Sequence, residues 1–452
     1  GTVTGARFLV STERARVLVD CGLFQGLKRL RLLNWEQPSV DPRSIDAIVL
    51  THAHLDHTGY LPRLVNSGYD GPIYGTPATL ELCGILLPDS GHLQEEQAEH
   101  ANLHGYSKHS PALPLYTSLD ATNTLQYLRP CPYGEPREIA EGIRVRLVDA
   151  GHILGSAIIE MWVQDRGGEI KITFSGDLGR YGEPLLGDPT PIEDTDYLLV
   201  ESTYGDRTHS NGHPERQLEE MVLRAAEMKG CLLIPAFSVG RTQQLLYAFH
   251  CMEKEGRFPD MPVYVDSPMA IDATKIFLSH PEAHRVDLRH LESDGENPLR
   301  LNRLKFVRTP EESRTLDERQ EPMVLISASG MATGGRILHH LASYLDDPRA
   351  TVLFVGYQAE GTRGRTLLDG GKHLKMMGKE VPVRATIRQI DGFSGHADRD
   401  EIVRWLSGFK RAPKTAFVIH GEDHAAGAMA GTLQSRFGWK TAHPALRETV
   451  EL

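Results

Sequence analysis

Thr51-His52-Ala53-His54-Leu55-Asp56-His57 packs four metal-ligating side chains into six positions, directly after the apolar run Ala47–Leu50. A chain leaving a strand end as a loop lets alternate side chains converge on one point. His52 and His54 share one side of an extended chain, while Asp56 and His57 lie beyond the turn and face a second point. A lone histidine is most often structural; four such groups at this density read as a metal loop.

Three more strand ends supply the rest. Asp149-Ala150-Gly151-His152 follows the run ending at Val148, Ser175-Gly176-Asp177 follows Phe174, and His420-Gly421-Glu422 follows Ile419. Each carries a small residue that lets backbone approach a metal. Singly each is a weak signal, and together with the first run they form a set.

Outward from these motifs the chain reads as α/β. Strands are expected at Arg16–Val19, Ala47–Leu50, Ile143–Val148, Ile172–Phe174 and Tyr197–Val200, then at Cys231–Ile234, Val263–Val265, Met323–Ile326, Thr351–Val355 and Ala416–Ile419. Helices are expected at Pro214–Met228, Arg241–Glu255, Gly335–Tyr344 and Asp398–Gly408. The stretch 84–135, with His92, His100, His104 and His109, reads as an excursion over the surface rather than a second metal site. Crossings between domains are expected near Gly205–His213 and Gly370–Lys379.

The 452 residues allow two or three domains. No run of 18 apolar residues exists to span a membrane. Five cysteines, none in a Cys-x-x-Cys, fit a reducing cytoplasm, and all five read as buried small hydrophobes. The start at Gly1 has neither a basic nor an apolar leader and lacks an initiator Met. A formal charge of −11 argues at first sight against a polyanionic partner.

With its partner motifs, the His-x-His-x-Asp-His run resembles the metallo-β-lactamase superfamily. Asp20, His52–His57, His152 and Asp177 match that superfamily's motifs in order. Glu201-Ser202-Thr203-Tyr204-Gly205, Ser394-Gly395-His396-Ala397-Asp398 and His420-Gly421-Glu422 resemble the three further motifs of the β-CASP nucleases. The RNA-acting branch of these includes the endonuclease subunit of the eukaryotic cleavage and polyadenylation specificity factor and its prokaryotic relatives. A histidine at the last motif, here His420, is similar to that branch. The resemblance implies a metallo-β-lactamase αββα sandwich (1–208 and 383–452) with an inserted α/β β-CASP domain (209–382). One departure is at the front, where a strand usual in the family is absent.

By the same resemblance, His52, His54 and His152 would hold one Zn²⁺ and Asp56, His57 and His420 another, with Asp177 bridging. Mn²⁺ and Fe²⁺ suit these ligand types as well. A metal-bridging hydroxide would attack an RNA phosphodiester, His396 would protonate the leaving oxygen as general acid, Glu201 would orient His396, and Asp20 would orient the histidine loop. The implied enzyme is a metal-dependent ribonuclease of RNA processing or degradation, endo- or exonucleolytic. Alternatives are hydrolysis of another ester or thioester, or a non-catalytic RNA-binding scaffold.

RNA grip is expected from a local +5 across residues 361–390, through Arg363, Arg365, Lys372 and Lys375, with Arg336 and Ser394 as further phosphate contacts. Two Zn²⁺ ions and this cluster would make the cleft electropositive despite the acidic total. A homodimer or processing-complex partners stay open.

Overall fold

The computed structural model describes residues 2–105, 107, 109–165, 167–209, 212–285, 288–289 and 297–452. The chain divides into two compact units, Gly1–Thr208 with His396–Leu452, and His209–Gly395. The first crossing falls within Gly205–His213. The second lies at 395/396 rather than at the expected 382/383, because Thr386–Gln389 pairs in parallel with Thr351–Phe354 as the edge strand of the second unit's sheet.

In the first unit, a five-stranded sheet has the order Phe8–Ser11, Arg16–Val19, Ala47–Val49, Ile73–Gly75, Leu128–Pro130. A seven-stranded sheet runs Thr441–Ala442, Thr415–Val418, Tyr197–Val200, Gly168–Phe174, Ala157–Asp165, Ile143–Asp149, Arg137–Ala140. Alternation decides which face is buried. In Ile143–Asp149, Ile143, Val145 and Leu147 point inward while Arg144 is exposed and pairs with Glu169 at 2.7 Å. These residues meet Val17, Val19, Ala47 and Val49 of the other sheet in one core with Ile159, Met161 and Phe174. The far face of the larger sheet buries Leu198, Val200 and Val418 against Trp405, Leu406, Met429 and Leu433 of helices Arg399–Leu406 and Asp423–Phe437. Helix Pro77–His104 packs against the smaller sheet, which completes an αββα layering.

That helix replaces much of the expected surface excursion. Thr76 Oγ1 caps it by accepting from Thr79 N, Pro77 occupies its first turn, and Leu82, Cys83, Leu86, Leu87 and Ser90 are buried. Polar residues after Ser90 masked the apolar start in the sequence. The rings of His100 and His104 lie 4.3 Å apart and tilted at 53° on its last turns, and among the described residues neither they nor His92 and His109 join a potential metal group.

The second unit carries a parallel sheet in the order Leu304–Phe306, Val263–Asp266, Met323–Ser327, Cys231–Pro235, Thr351–Phe354, Thr386–Gln389. Its central strands are buried along their whole length, so they read as continuous apolar runs without alternation. A hairpin, His373–Met376 with Lys379–Pro382, follows helix Arg363–Leu368. Four cysteines are buried, and Cys251, expected to be buried as well, is half-exposed near the end of helix Arg241–Lys254. No helix among the described residues is long and apolar enough to cross a membrane.

Candidate metal centre

Parallel pairing gathers the site. Thr415–Val418, Tyr197–Val200 and Gly168–Phe174 run in one direction, and Ile143–Asp149 shares it, because it and Gly168–Phe174 are both antiparallel to Ala157–Asp165. Their C-terminal ends release His420, Glu201, Asp177 and His152 on one edge. The smaller sheet adds Asp20 and the Thr51–His57 loop in the same way, tied across by Ala157 N donating to Thr51 O at 2.7 Å. Small residues here bring loop against loop. A Cβ on Gly179 would sit 1.9 Å from Gly151 O, and one on Gly421 would sit 2.2 Å from Ser202 Oγ.

Among the described residues four groups of His, Asp and Glu come close enough to hold an ion, and two of them contain the histidines of the Thr51–His57 loop; the others are Asp177 with Glu201 and His420, and His209 with Asp398 and Glu401. Of the two loop groups, His52, His54, His152 and Asp177 form one, and Asp56, His57 and His420 the other, with the ligand atoms of each group within 4.8 Å of one another. In the first, His54 Nδ1 lies 3.1 Å from His52 Nε2 and 3.4 Å from His152 Nε2. In the second, the Nε2 atoms of His57 and His420 face each other at 3.1 Å, with Asp56 Oδ2 at 3.6 Å from His420. Asp177 divides its carboxylate between them. Its Oδ2 lies 3.5 Å from His52 and 3.7 Å from His152, its Oδ1 3.4 Å from His57 and 3.3 Å from His420.

The donor set fits metal ions. Asp177 Oδ1 is buried and takes no hydrogen bond among the described residues, and two imidazole nitrogens at 3.1 Å repel unless a proton or a cation lies between them. Burial drives His52 well below the ordinary histidine value, reinforced by His57, His54 and His152, so it stands as the neutral ligand form. Burial also disfavours charge on His57, yet Asp177, Asp20 and Asp56 outweigh it and lift that group to about 10. The cluster thus favours positive charge at its centre, which a divalent ion could supply in place of a proton.

Around the ligands sits a supporting layer. Asp20 Oδ2 accepts from His57 Nδ1 at 2.7 Å and from Thr51 Oγ1 at 2.8 Å, while Oδ1 accepts from Thr51 N at 2.8 Å. Asp20 reaches this position with φ at 57°. Glu201 is fully buried, accepts from Leu178 N at 2.6 Å, and lies 3.3 Å from His396 Nδ1. Burial opposes both charges of this pair; the mutual attraction outweighs it, lowering Glu201 and raising His396 from their ordinary values. The His396 ring stands 4.5 Å from that of His152. Sequence reasoning missed the hydroxyls. Thr51 holds Asp20, and Thr203 Oγ1 lies 3.2 Å from His420 Nδ1; both stand inside quoted motifs, where their hydroxyls were the available signal. Arg7 touches none of the candidate ligands and braces the chain after Asp20. It donates to Gly22 O at 2.8 Å and stacks on Tyr60 at 3.6 Å.

Comparison with known proteins agrees with this geometry. The metallo-beta-lactamase superfamily matches residues 5–230, the Beta-Casp domain residues 242–367, and the Zn-dependent metallo-hydrolase RNA specificity domain residues 380–444. The chain belongs to the metallo-β-lactamase superfamily, in its Beta-Casp branch. It is 36% identical to Ribonuclease TTHA0252 of Thermus thermophilus, over 96% of this chain and 94% of that protein. It is 33% identical to Transcription termination factor FttA of Methanosarcina mazei, over 98% of this chain and 69% of that one. A solved structure described as a protein of unknown function from Enterococcus faecalis V583 shares the fold at a TM-score of 0.53 and 14% identity, over 98% of this chain and 96% of that one.

Within the second unit the expected phosphate contacts divide. Arg336 is committed elsewhere, with Nη1 2.5 Å from the buried Asp266 Oδ1 and Nη2 donating to Arg308 O at 2.6 Å. Asp266 also holds His340 Nε2 at 2.6 Å, and His340 Nδ1 lies 2.6 Å from Asp317. Arg365 pairs with Asp369 at 3.0 Å one helical turn on, and Arg363 donates to Thr333 O at 3.3 Å. Ser394 is buried. Lys372 and Lys375 are exposed, at the start of and within the hairpin.

Proposed function

We propose that the chain is a metal-dependent ribonuclease that hydrolyses RNA phosphodiester bonds at the His/Asp cluster, with two divalent ions, zinc by donor type, as the working complement. His52, His54 and His152 would hold one ion and Asp56, His57 and His420 the other, with Asp177 shared. The division of the two Asp177 oxygens between the two histidine groups carries this reading. When bound, such a pair activates a water as nucleophile and offsets charge on the phosphoryl oxygens.

The chain's own groups do the rest. Asp20 and Thr203 fix the ring orientations of His57 and His420. Glu201, acceptor-only and buried, keeps a proton on His396 Nδ1, which leaves the opposite ring nitrogen to serve the departing oxygen as general acid. The relatives named for ribonuclease activity and transcription termination support RNA as substrate, as do the exposed Lys372 and Lys375.

The test is cleavage of end-labelled RNA with and without chelator, beside His396→Ala. Chelation should stop cleavage. His396→Ala should keep its metal and lose roughly 10²–10⁴-fold in rate; unchanged turnover would remove His396 from the chemistry.

A further inference from the structure

Just beyond the loop that carries Asp20 lies helix Lys28–Leu33, which buries none of its six residues. Its turn continues through Asn34, Trp35 and Glu36, which donate to the carbonyls of Arg31, Leu32 and Leu33. At helical spacing, Lys28, Arg31, Leu32 and Trp35 share one face, and all four are exposed; Leu32 is 53% and Trp35 52% accessible. The opposite side, Leu27, Leu30 and Leu33, is half-buried and Asn34 is buried. An amphipathic helix normally turns its aromatic inward. Here the tryptophan stands outside among cations.

Among the described residues, Lys28, Arg29 and Arg31 form no ion pair; Arg29 feels Asp423 only at longer range. Glu36, the nearest acid in sequence, is taken by Arg447 at 2.5 Å. A chain of net charge −11 therefore presents three cations and one indole in eight consecutive residues.

The stripe is held firmly to the metal loop. Asn34 clamps Phe24, accepting from its N–H at 3.0 Å and donating to its carbonyl at 2.8 Å. From there Leu23 N donates to Leu55 O at 2.8 Å and Cys21 N to His57 O at 2.7 Å. A rigid path of hydrogen bonds thus joins the exposed face to the segment bearing His57.

We infer that the face Lys28–Arg31–Leu32–Trp35 is a docking platform for single-stranded RNA, with one base stacked on Trp35 and two phosphates met by Lys28 and Arg31. Charge complementarity selects RNA, since a lone exposed ring flanked by cations is the arrangement that unpaired nucleotides bind. The inference rests on the ribonuclease reading and adds to it a contact outside the reacting centre. It makes RNA length matter, because substrates too short to reach the platform gain nothing from it.

The test is Trp35 fluorescence, titrated on the metal-loaded protein with a non-cleavable 2′-O-methyl oligouridylate. Quenching is expected that vanishes in Trp35→Phe, the other three tryptophans being unaffected. Trp35→Ala should weaken binding roughly 10-fold, within what stacking of one base sustains. Lys28→Ala with Arg31→Ala should lower the slope of log affinity against log salt by about 1.4, at about 0.7 per phosphate of a single strand. In turnover, Trp35→Ala should raise KM for a long RNA and leave a very short substrate unchanged. Quenching that persists in Trp35→Phe, or an equal loss on long and short RNA, would overturn the platform. So would a Trp35 signal that follows protein concentration instead of RNA, which marks a contact between copies. If the native protein cleaves no RNA, the ribonuclease reading fails, while the titration still decides the platform.

Discussion

Replacing Asp20 with asparagine isolates what one buried carboxylate does for the metal centre. Asp20 accepts three hydrogen bonds, from Thr51 N and Thr51 Oγ1 at 2.8 Å and from His57 Nδ1 at 2.7 Å. An amide keeps one acceptor oxygen. If that oxygen stays with Thr51 N, the NH₂ group faces His57 Nδ1, and two donors oppose each other. His57 must then carry its proton on Nε2, the nitrogen that lies 3.1 Å from His420 Nε2 and would be the ligand atom in the proposed site. A charge-assisted hydrogen bond is worth about 1.5–3 kcal/mol, which is roughly 10- to 150-fold in affinity. Supporting residues of metal sites, when lost, cost about 10–100-fold, so the two routes agree. A competition titration with a chelator of known affinity should resolve one ion weakened by about that factor, and the ion held by His52, His54 and His152 nearly unchanged. Equal weakening of both ions, or none, would refute the tautomer argument.

Arg336→Ala should destabilise the protein by about 3 kcal/mol, because it leaves the buried Asp266 without its guanidinium; a variant with native melting temperature and weakened RNA binding would restore Arg336 as a phosphate contact. The same network predicts a pH window. Burial opposes charge on His340, but Asp266 and Asp317 outweigh it and raise its value, so its contribution is full below about pH 6.5 and lost as pH climbs through the folded value. Burial opposes charge on Asp266 too, yet His340, Ser313 and Arg336 lower it, so its contribution is present above about pH 3.9 and lost on acidification. His340→Gln should therefore lose the most melting temperature, relative to the native chain, between about pH 4 and 6.5, and approach it at higher pH; a pH-independent difference would contradict this.

How much was legible depended on whether neighbours in sequence are neighbours in space. The first part of the His/Asp cluster reads directly because His52, His54, Asp56 and His57 share one short segment. His152, Asp177 and His420 became legible through a shared position, each just past an apolar strand, which parallel pairing converts into a shared edge. Helix Pro77–His104 was hidden because its buried half and its polar half average to no clear periodicity. Charge misled where geometry intervenes. Arg365, in the basic cluster, and Arg336, outside it, both read as phosphate contacts, yet each already faces a carboxylate, Asp266 lying in a distant strand and Asp369 four residues on. Sequence counting registers the charge but not its partner.

The most direct measurement is anomalous diffraction at the metal absorption edge from crystals of protein that cleaves RNA. Two peaks are predicted, one enclosed by His52, His54 and His152, the other by Asp56, His57 and His420, with Asp177 between them. A protein that cleaves RNA with neither peak at those residues would contradict the account.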